Sequence, residues 1–199
     1  MPNQYILLLV YFVAFFLLTF VIRSVLVYRS TGVNPLVLPS TNDAYGYVGK
    51  AFKVLMLVCG GVVMALAFIP HAPTWLGSIS PLEINALKWI GWCCLLLSLL
   101  WVAVAQAQMG ASWRIGIDSV NRTELVCKGL FGISRNPIFL AIRLALLGFF
   151  LVAPNAATLA ILAAGEVVIQ VQVRLEEKHL AALHGAVYEQ YVSRVRKWL

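Results

Sequence analysis

Five apolar windows constrain this chain more than any other feature: residues 5–28, 54–71, 84–108, 136–153 and 156–174, separated by short polar segments. Roughly 20 helical residues cross the hydrocarbon of a bilayer, so the pattern predicts five transmembrane helices. Composition agrees, with 61% of residues hydrophobic and 12% charged, against about 45–50% and 25% in soluble domains. The first window has no positive n-region, and its arginines, Arg23 and Arg29, follow the apolar core. It therefore reads as a retained span and not as a signal peptide.

Orientation follows from the basic residues, because cytoplasmic segments keep the positive excess. Arg29, Lys50 and Lys53 follow the first span; Arg114, Arg122, Lys128 and Arg135 follow the third; Lys178, Arg194, Arg196 and Lys197 follow the fifth. The N-terminus, the 72–83 loop and the Pro154-Asn155 turn carry no basic side chain. Five spans then put the N-terminus outside and the C-terminus inside a plasma or inner membrane, and the sequon Asn121–Thr123 faces the cytosol. The net charge of +7 is scattered between apolar runs, which points to lipid headgroups and excludes a nucleic-acid face. Cys59, Cys93 and Cys94 lie in apolar runs and behave as small hydrophobes. His71, His179 and His184 lack ligand spacing, so no metal site is expected.

Pro154-Asn155 is a turn dipeptide between two apolar runs, so spans four and five form an antiparallel hairpin. That brings Arg135-Asn136-Pro137 next to Arg174-Leu175-Glu176-Glu177. A charge at membrane depth costs about 2.5 kcal/mol or more and is usually paired or functional. Arg143 lies roughly 9 Å into span four, and Glu166 roughly 12 Å back from Arg174, at 1.5 Å per residue. These depths match a hairpin ion pair. Glu166, Gln170, Val173 or Arg174, and Glu177 form one stripe on span five that stays largely polar.

Between spans three and four, alternation over 114–118 and the turn-prone Asn121 suggest a short hairpin or extended lid. Gly129 and Gly132 permit close backbone approach, and Pro137 suits the first turn of a helix. Span five continues into the tail, with His184-Gly185 as a stop signal. A second short helix from Ala186 to about Val195 sets Val187, Tyr191 and Val195 on one side, while Tyr188, Tyr191 and Trp198 read as interfacial anchors.

"GASW", then "ELVCKGLFGISRNPIF" at a helix start, then a hairpin, then "EEKHLAALHGAVYEQYVSRVRKW" resemble the isoprenylcysteine carboxyl methyltransferase family and the related membrane phospholipid and thiol methyltransferases. The likeness runs from Gly110 to Trp198; the first two spans carry little of it. It implies two regions, spans one to three over 1–109 and a cofactor-binding catalytic region over 110–199. It also implies methyl transfer from S-adenosylmethionine, with S-adenosylhomocysteine as product, to a lipophilic acceptor from the bilayer. By position, Lys128, Gly129, Leu130 and Phe131 lie along the cofactor. Arg135, Asn136 and Pro137 occupy the family's Arg-His-Pro triplet, Glu176 and Glu177 its paired glutamates, and Tyr188, Tyr191 and the Arg194 to Lys197 run its closing segment. Asn136 stands where histidine is commonest and Phe139 where tyrosine is, so any mechanism needing that imidazole as base is unsupported.

The cofactor's ammonium calls for acidic groups and its carboxylate for basic or backbone donors. Transfer from a sulfonium rests mainly on alignment and desolvation. On this reading Arg135 and Asn136 line the pocket, and Arg143 paired with Glu166 forms its floor, which makes Arg143, Glu166 and Asn136 the catalytic candidates. The competing class is a small-solute carrier using Arg143, Glu166 and Gln170. Against it, the chain has no internal repeat and its polar residues crowd one face. A nicotinamide-dependent reductase has no supporting motif.

Overall fold

A computed structural model describes residues 2–36, 43–114 and 124–199, and every regular element among them is helical. α1 (Pro2–Phe16) runs through a π-helical turn (Leu17–Ile22) directly into α2 (Arg23–Thr31). α3 (Ala44–Phe68) starts at Asp43, whose carboxylate accepts from the Gly46 amide at 2.9 Å. The short α4 (Ala72–Trp75) and a 3-10 turn (Ser80–Leu82) lead into α5 (Asn85–Met109), and α6 (Pro137–Val152), α7 (Ala156–His184) and α8 (Ala186–Arg194) follow.

Four helical stretches are long and apolar enough to cross a membrane: Gln4–Thr31, Ala44–Phe68, Asn85–Ser112 and Ala156–His184. α6 is apolar but has only 16 residues, roughly 24 Å of rise against roughly 30 Å of hydrocarbon. The structure thus has four helices of spanning length and one shorter one where the sequence suggested five. The limits of α6 are physical: Pro137 fixes its first turn, and the chain leaves helical geometry at Ala153. Leu57, Leu96 and Leu100 are 76%, 57% and 66% exposed, an arrangement that suits acyl chains and not water.

Between helices in a bilayer no hydrophobic force operates, so close packing and polar links hold them. α5 presents Gly91, Leu95, Ser98, Val102 and Ala105 as one buried stripe. It meets α6 where Gly91 faces Gly148; a Cβ on Gly148 would sit 2.8 Å from the Gly91 carbonyl oxygen. This is the most extensive helix interface, and α7 leans more on α3 than on α6. The anticipated α6–α7 hairpin exists, yet each arm packs mainly on a third helix. α1 is tied to α5 by Tyr11 Oη to Ser98 Oγ at 2.7 Å.

At the turn end of the hairpin, Asn155 caps α7. Its side chain accepts from the Thr158 amide at 2.9 Å while Thr158 Oγ1 accepts from the Asn155 amide at 3.2 Å. The preceding loop pairs with it, Ile79 N donating to Pro154 O and Ala156 N to Gly77 O, both at 2.9 Å. Glu83 and Lys88 line a small cavity here with Tyr5 and Asn155, so this end holds one basic residue after all. At the other end α7 stops at His184, where Gly185 takes φ 52°, a left-handed value that glycine adopts without strain. The inward face of α8 is Tyr188, Tyr191 and Val195, packed on Leu125 and Leu180. Tyr191 and Val195 lie on the face assigned from sequence, whereas Val187 is 62% exposed and Tyr188 takes its place. The anticipated hairpin over 114–118, apart from Arg114 itself, and the Asn121–Thr123 sequon lie outside the described residues.

Candidate functional site

The open end of the α6–α7 hairpin is closed by a segment distant in sequence. Residues Ser134 to Asn136, just before Pro137 starts α6, lie alongside the C-terminal residues. Ser134 and Arg196 form a parallel bridge, Arg135 N donates to Arg196 O at 2.9 Å, and Ser134 Oγ donates to Lys197 O at 3.3 Å. Against this strap sits Glu177, near the end of α7. Its Oε1 accepts from Arg135 Nε at 3.1 Å and Nη2 at 3.0 Å, and from Asn136 Nδ2 at 3.4 Å. Its Oε2 meets Lys197 Nζ at 2.8 Å. Arg135 Nη1 donates to the carbonyls of Val195 at 2.9 Å and Val192 at 3.3 Å, and Asn136 Nδ2 to that of Lys197 at 3.2 Å. The Arg135 and Glu177 side chains are 12% and 17% exposed, so the bonds are poorly screened.

A second group lies beside it. Gly129–Gly132 forms a 3-10 turn entered at Gly129 with φ 63°. A Cβ at Gly129 would fall 2.5 Å from Gln108 Nε2; the backbone angle favours glycine, and a side chain here would displace the amide that packs on it. Gln108 Oε1 accepts from Leu130 N at 2.8 Å, and Tyr191 Oη donates to Phe131 O at 2.6 Å. α5 and α8 thus hold the turn from two sides. Burial, with the Glu177 carboxylate nearby, pushes the Tyr188 phenol up to about 12.

Deeper along the hairpin, Arg143 Nε donates to Glu166 Oε2 at 2.8 Å, and Gln170 Nε2 to Glu166 Oε1 at 2.8 Å. The Arg143 guanidinium lies 4.3 Å from the centroid of the Trp198 ring, within the range of a cation–π contact. Trp198 is half-buried and packs against the central apolar cluster. Of the aromatics read as interfacial anchors, Tyr188 and Tyr191 are buried, at 4% and 7% exposure.

Of the residues singled out from sequence, Arg135, Asn136, Pro137 and Glu177 come together at the hairpin mouth. Gly129, Leu130 and Phe131 join Tyr191, and Arg143 joins Glu166. Lys128 is exposed and Glu176 makes no ion pair among the described residues. Arg135 and Glu177 bond to each other directly and leave no gap between them. In the polar stripe of α7, Val173 is fully buried and Arg174 exposed, so an apolar residue interrupts it. Gln108 and Ser134 escaped sequence reasoning, and Lys197 entered only as part of a basic run. A glutamine ending an apolar window is the sole local hint for Gln108. No group of metal-ligating side chains occurs among the described residues.

Apolar helices of spanning length, with a half-buried ionic cluster at one end of the bundle, mark an integral membrane protein. The phospholipid methyltransferase family profile matches residues 86–187, over half of the 199, and the chain belongs to that family, a membrane methyltransferase domain running from α5 to the start of α8. No curated protein and no solved structure matches the chain.

Proposed function

We propose that this protein is an integral membrane methyltransferase that uses S-adenosylmethionine and methylates a lipophilic or membrane-partitioned acceptor. Within the wider family we assign it to the isoprenylcysteine carboxyl methyltransferase type, whose acceptor would be a carboxylate; a phospholipid amine or a thiol are the related chemistries. One observation carries the reading: the family-matched segment folds so that the Gly129–Phe131 turn and the Arg135–Asn136–Glu177 cluster share one end of the bundle.

The donor set suits the cofactor. Glu176, with no cation of its own among the described residues, and Glu177 offer carboxylates for an ammonium. Arg135, Asn136 and the backbone at Gly129 to Phe131 offer donors for a carboxylate, while Lys128, Pro137, Tyr188 and Tyr191 border the same region. The cofactor supplies an activated methyl group on a sulfonium. This chain's residues bind and orient it, exclude water and align the acceptor. Asn136 gives a donor and an acceptor but no titratable imidazole, so its catalytic role is orientation. Arg143, paired with Glu166 and set against Trp198, forms the floor below this donor set. The basic residues gather at the site end, which favours a cytoplasmic site with the N-terminus outside.

Calorimetric titration of the purified protein in detergent with S-adenosylhomocysteine tests the proposal, followed by incubation with methyl-labelled donor and a membrane lipid extract. Binding and a labelled lipophilic product are expected. No binding of S-adenosylhomocysteine, or binding of NADPH in its place, overturns it.

A further inference from the structure

We infer that the first span, which lies outside the family-matched segment, positions the Gly129–Leu130 turn by gripping the end of α5, with Thr19, Arg23 and Gln106 as the positioning residues. The inference rests on the reading that this turn borders the methyl donor. Gln106 and Gln108 are two residues apart on α5, and at 3.6 residues per turn they point to opposite sides. Gln108 holds Leu130 N and covers Gly129. Gln106, buried at 5% exposure, donates through Nε2 to the Thr19 carbonyl at 3.0 Å.

Thr19 lies inside the π-helical turn Leu17–Ile22, a rare geometry that is frequent at functional sites. Four residues on, Arg23 Nη2 donates to the carbonyl of Gly110, the residue that ends α5. Arg23 Nε is buried without a partner, and no carboxylate pairs with this guanidinium among the described residues. For helix association alone, an unneutralised cation in a span is a poor choice. Deeper in the same α1–α5 interface, Tyr11–Ser98 joins the two helices with neutral groups. Among the described residues, the charged and amide links between the first span and α5 occur only where α5 meets the turn. A rotation of that last turn of α5 would move Gln108, and with it Leu130.

The test uses the full chain in detergent, with S-adenosylhomocysteine affinity and melting temperature measured on the same samples. Gln106→Leu and Arg23→Met should each weaken binding roughly tenfold, since small misplacements of a supporting residue carry effects of that order. Arg23→Lys should recover most of the loss, because it restores a cationic donor to the Gly110 carbonyl. Tyr11→Phe is the structural control: it should lower the melting temperature and leave affinity unchanged. Wild-type affinity in Gln106→Leu and Arg23→Met overturns the inference, and so does an equal loss in Tyr11→Phe. If Gln106→Leu does not fold, comparison of the unaltered protein with Arg23→Lys and Arg23→Met decides alone. Should the unaltered protein fail to bind S-adenosylhomocysteine, the proposed function falls first and this inference falls with it.

Discussion

The two ends of the α6–α7 hairpin are closed by opposite means. At the turn end, Ala153, Asn155 and Thr158 satisfy one another within six residues, with neutral groups and short local hydrogen bonds. At the open end, Arg135, Asn136, Glu177 and Lys197 come from three separate segments, and two cations converge on one carboxylate. A cap needs only to satisfy backbone groups. Two cations on one half-buried carboxylate exceed that need, and such clusters tend to occur where a charged ligand is handled. The difference separates the end that fastens the hairpin from the end proposed to bind.

The comparison can be broken most forcefully at Glu177. Glu177→Gln leaves Arg135 and Lys197 facing each other without a carboxylate, and is expected to destabilise by about 3 kcal/mol in detergent unfolding and to abolish S-adenosylhomocysteine binding. Full affinity in this variant would reduce the open end to a fastening like the other. Asn155→Ala should cost about 1–2 kcal/mol by stranding the Thr158 amide, with affinity retained; a parallel loss of binding would show that the ends are not separable. In the middle, Arg143→Met and Glu166→Met should each destabilise more than the double change does, with a coupling of about 1 kcal/mol. Additivity in that cycle would mean the pair does not hold the arms together.

The smallest effect concerns pH. The Tyr188 phenol is raised from 10.0 to about 12 in the fold, so between those values the unfolded chain has lost a proton that the folded chain keeps. Stability present below pH 10 is therefore lost as pH rises towards 12. Tyr188→Phe should flatten this alkaline limb in thermal melts, while the Asn155 variant should keep it.

Sequence reasoning reached the turn itself, but not the Asn155–Thr158 cap or the loop partners Gly77 and Ile79. Pro154-Asn155 between apolar runs dictates a turn because proline and asparagine favour it through local geometry, and the cap falls within the same few residues. It also reached the ion pair Arg143–Glu166 and the nearness of Arg135 to Glu177, since a short turn forces residues at equal depth into register, but not the direct bond between the latter two. The partners contributed by the C-terminal strap were out of reach: Lys197 on Glu177 and Trp198 on Arg143 depend on the path of the chain after Gly185. On α8, Tyr191 and Val195 were placed correctly and Tyr188 stands where Val187 was expected.

The sequence by itself determined the apolar helices, the start of α6 at Pro137, the turn at Pro154-Asn155, the stop of α7 at Gly185, and the relative depth of Arg143 and Glu166, because helix geometry converts residue number directly into distance. Only the tertiary structure decided which polar groups share the open end. Gln108 on the Gly129 turn, the grip of Arg23 on Gly110 and the strap over Arg135 all join segments whose separation along the chain carries no periodic signal. Such contacts are settled by how helices pack, through seams such as Gly91 on Gly148, and packing is a property of surfaces that meet only in the folded state.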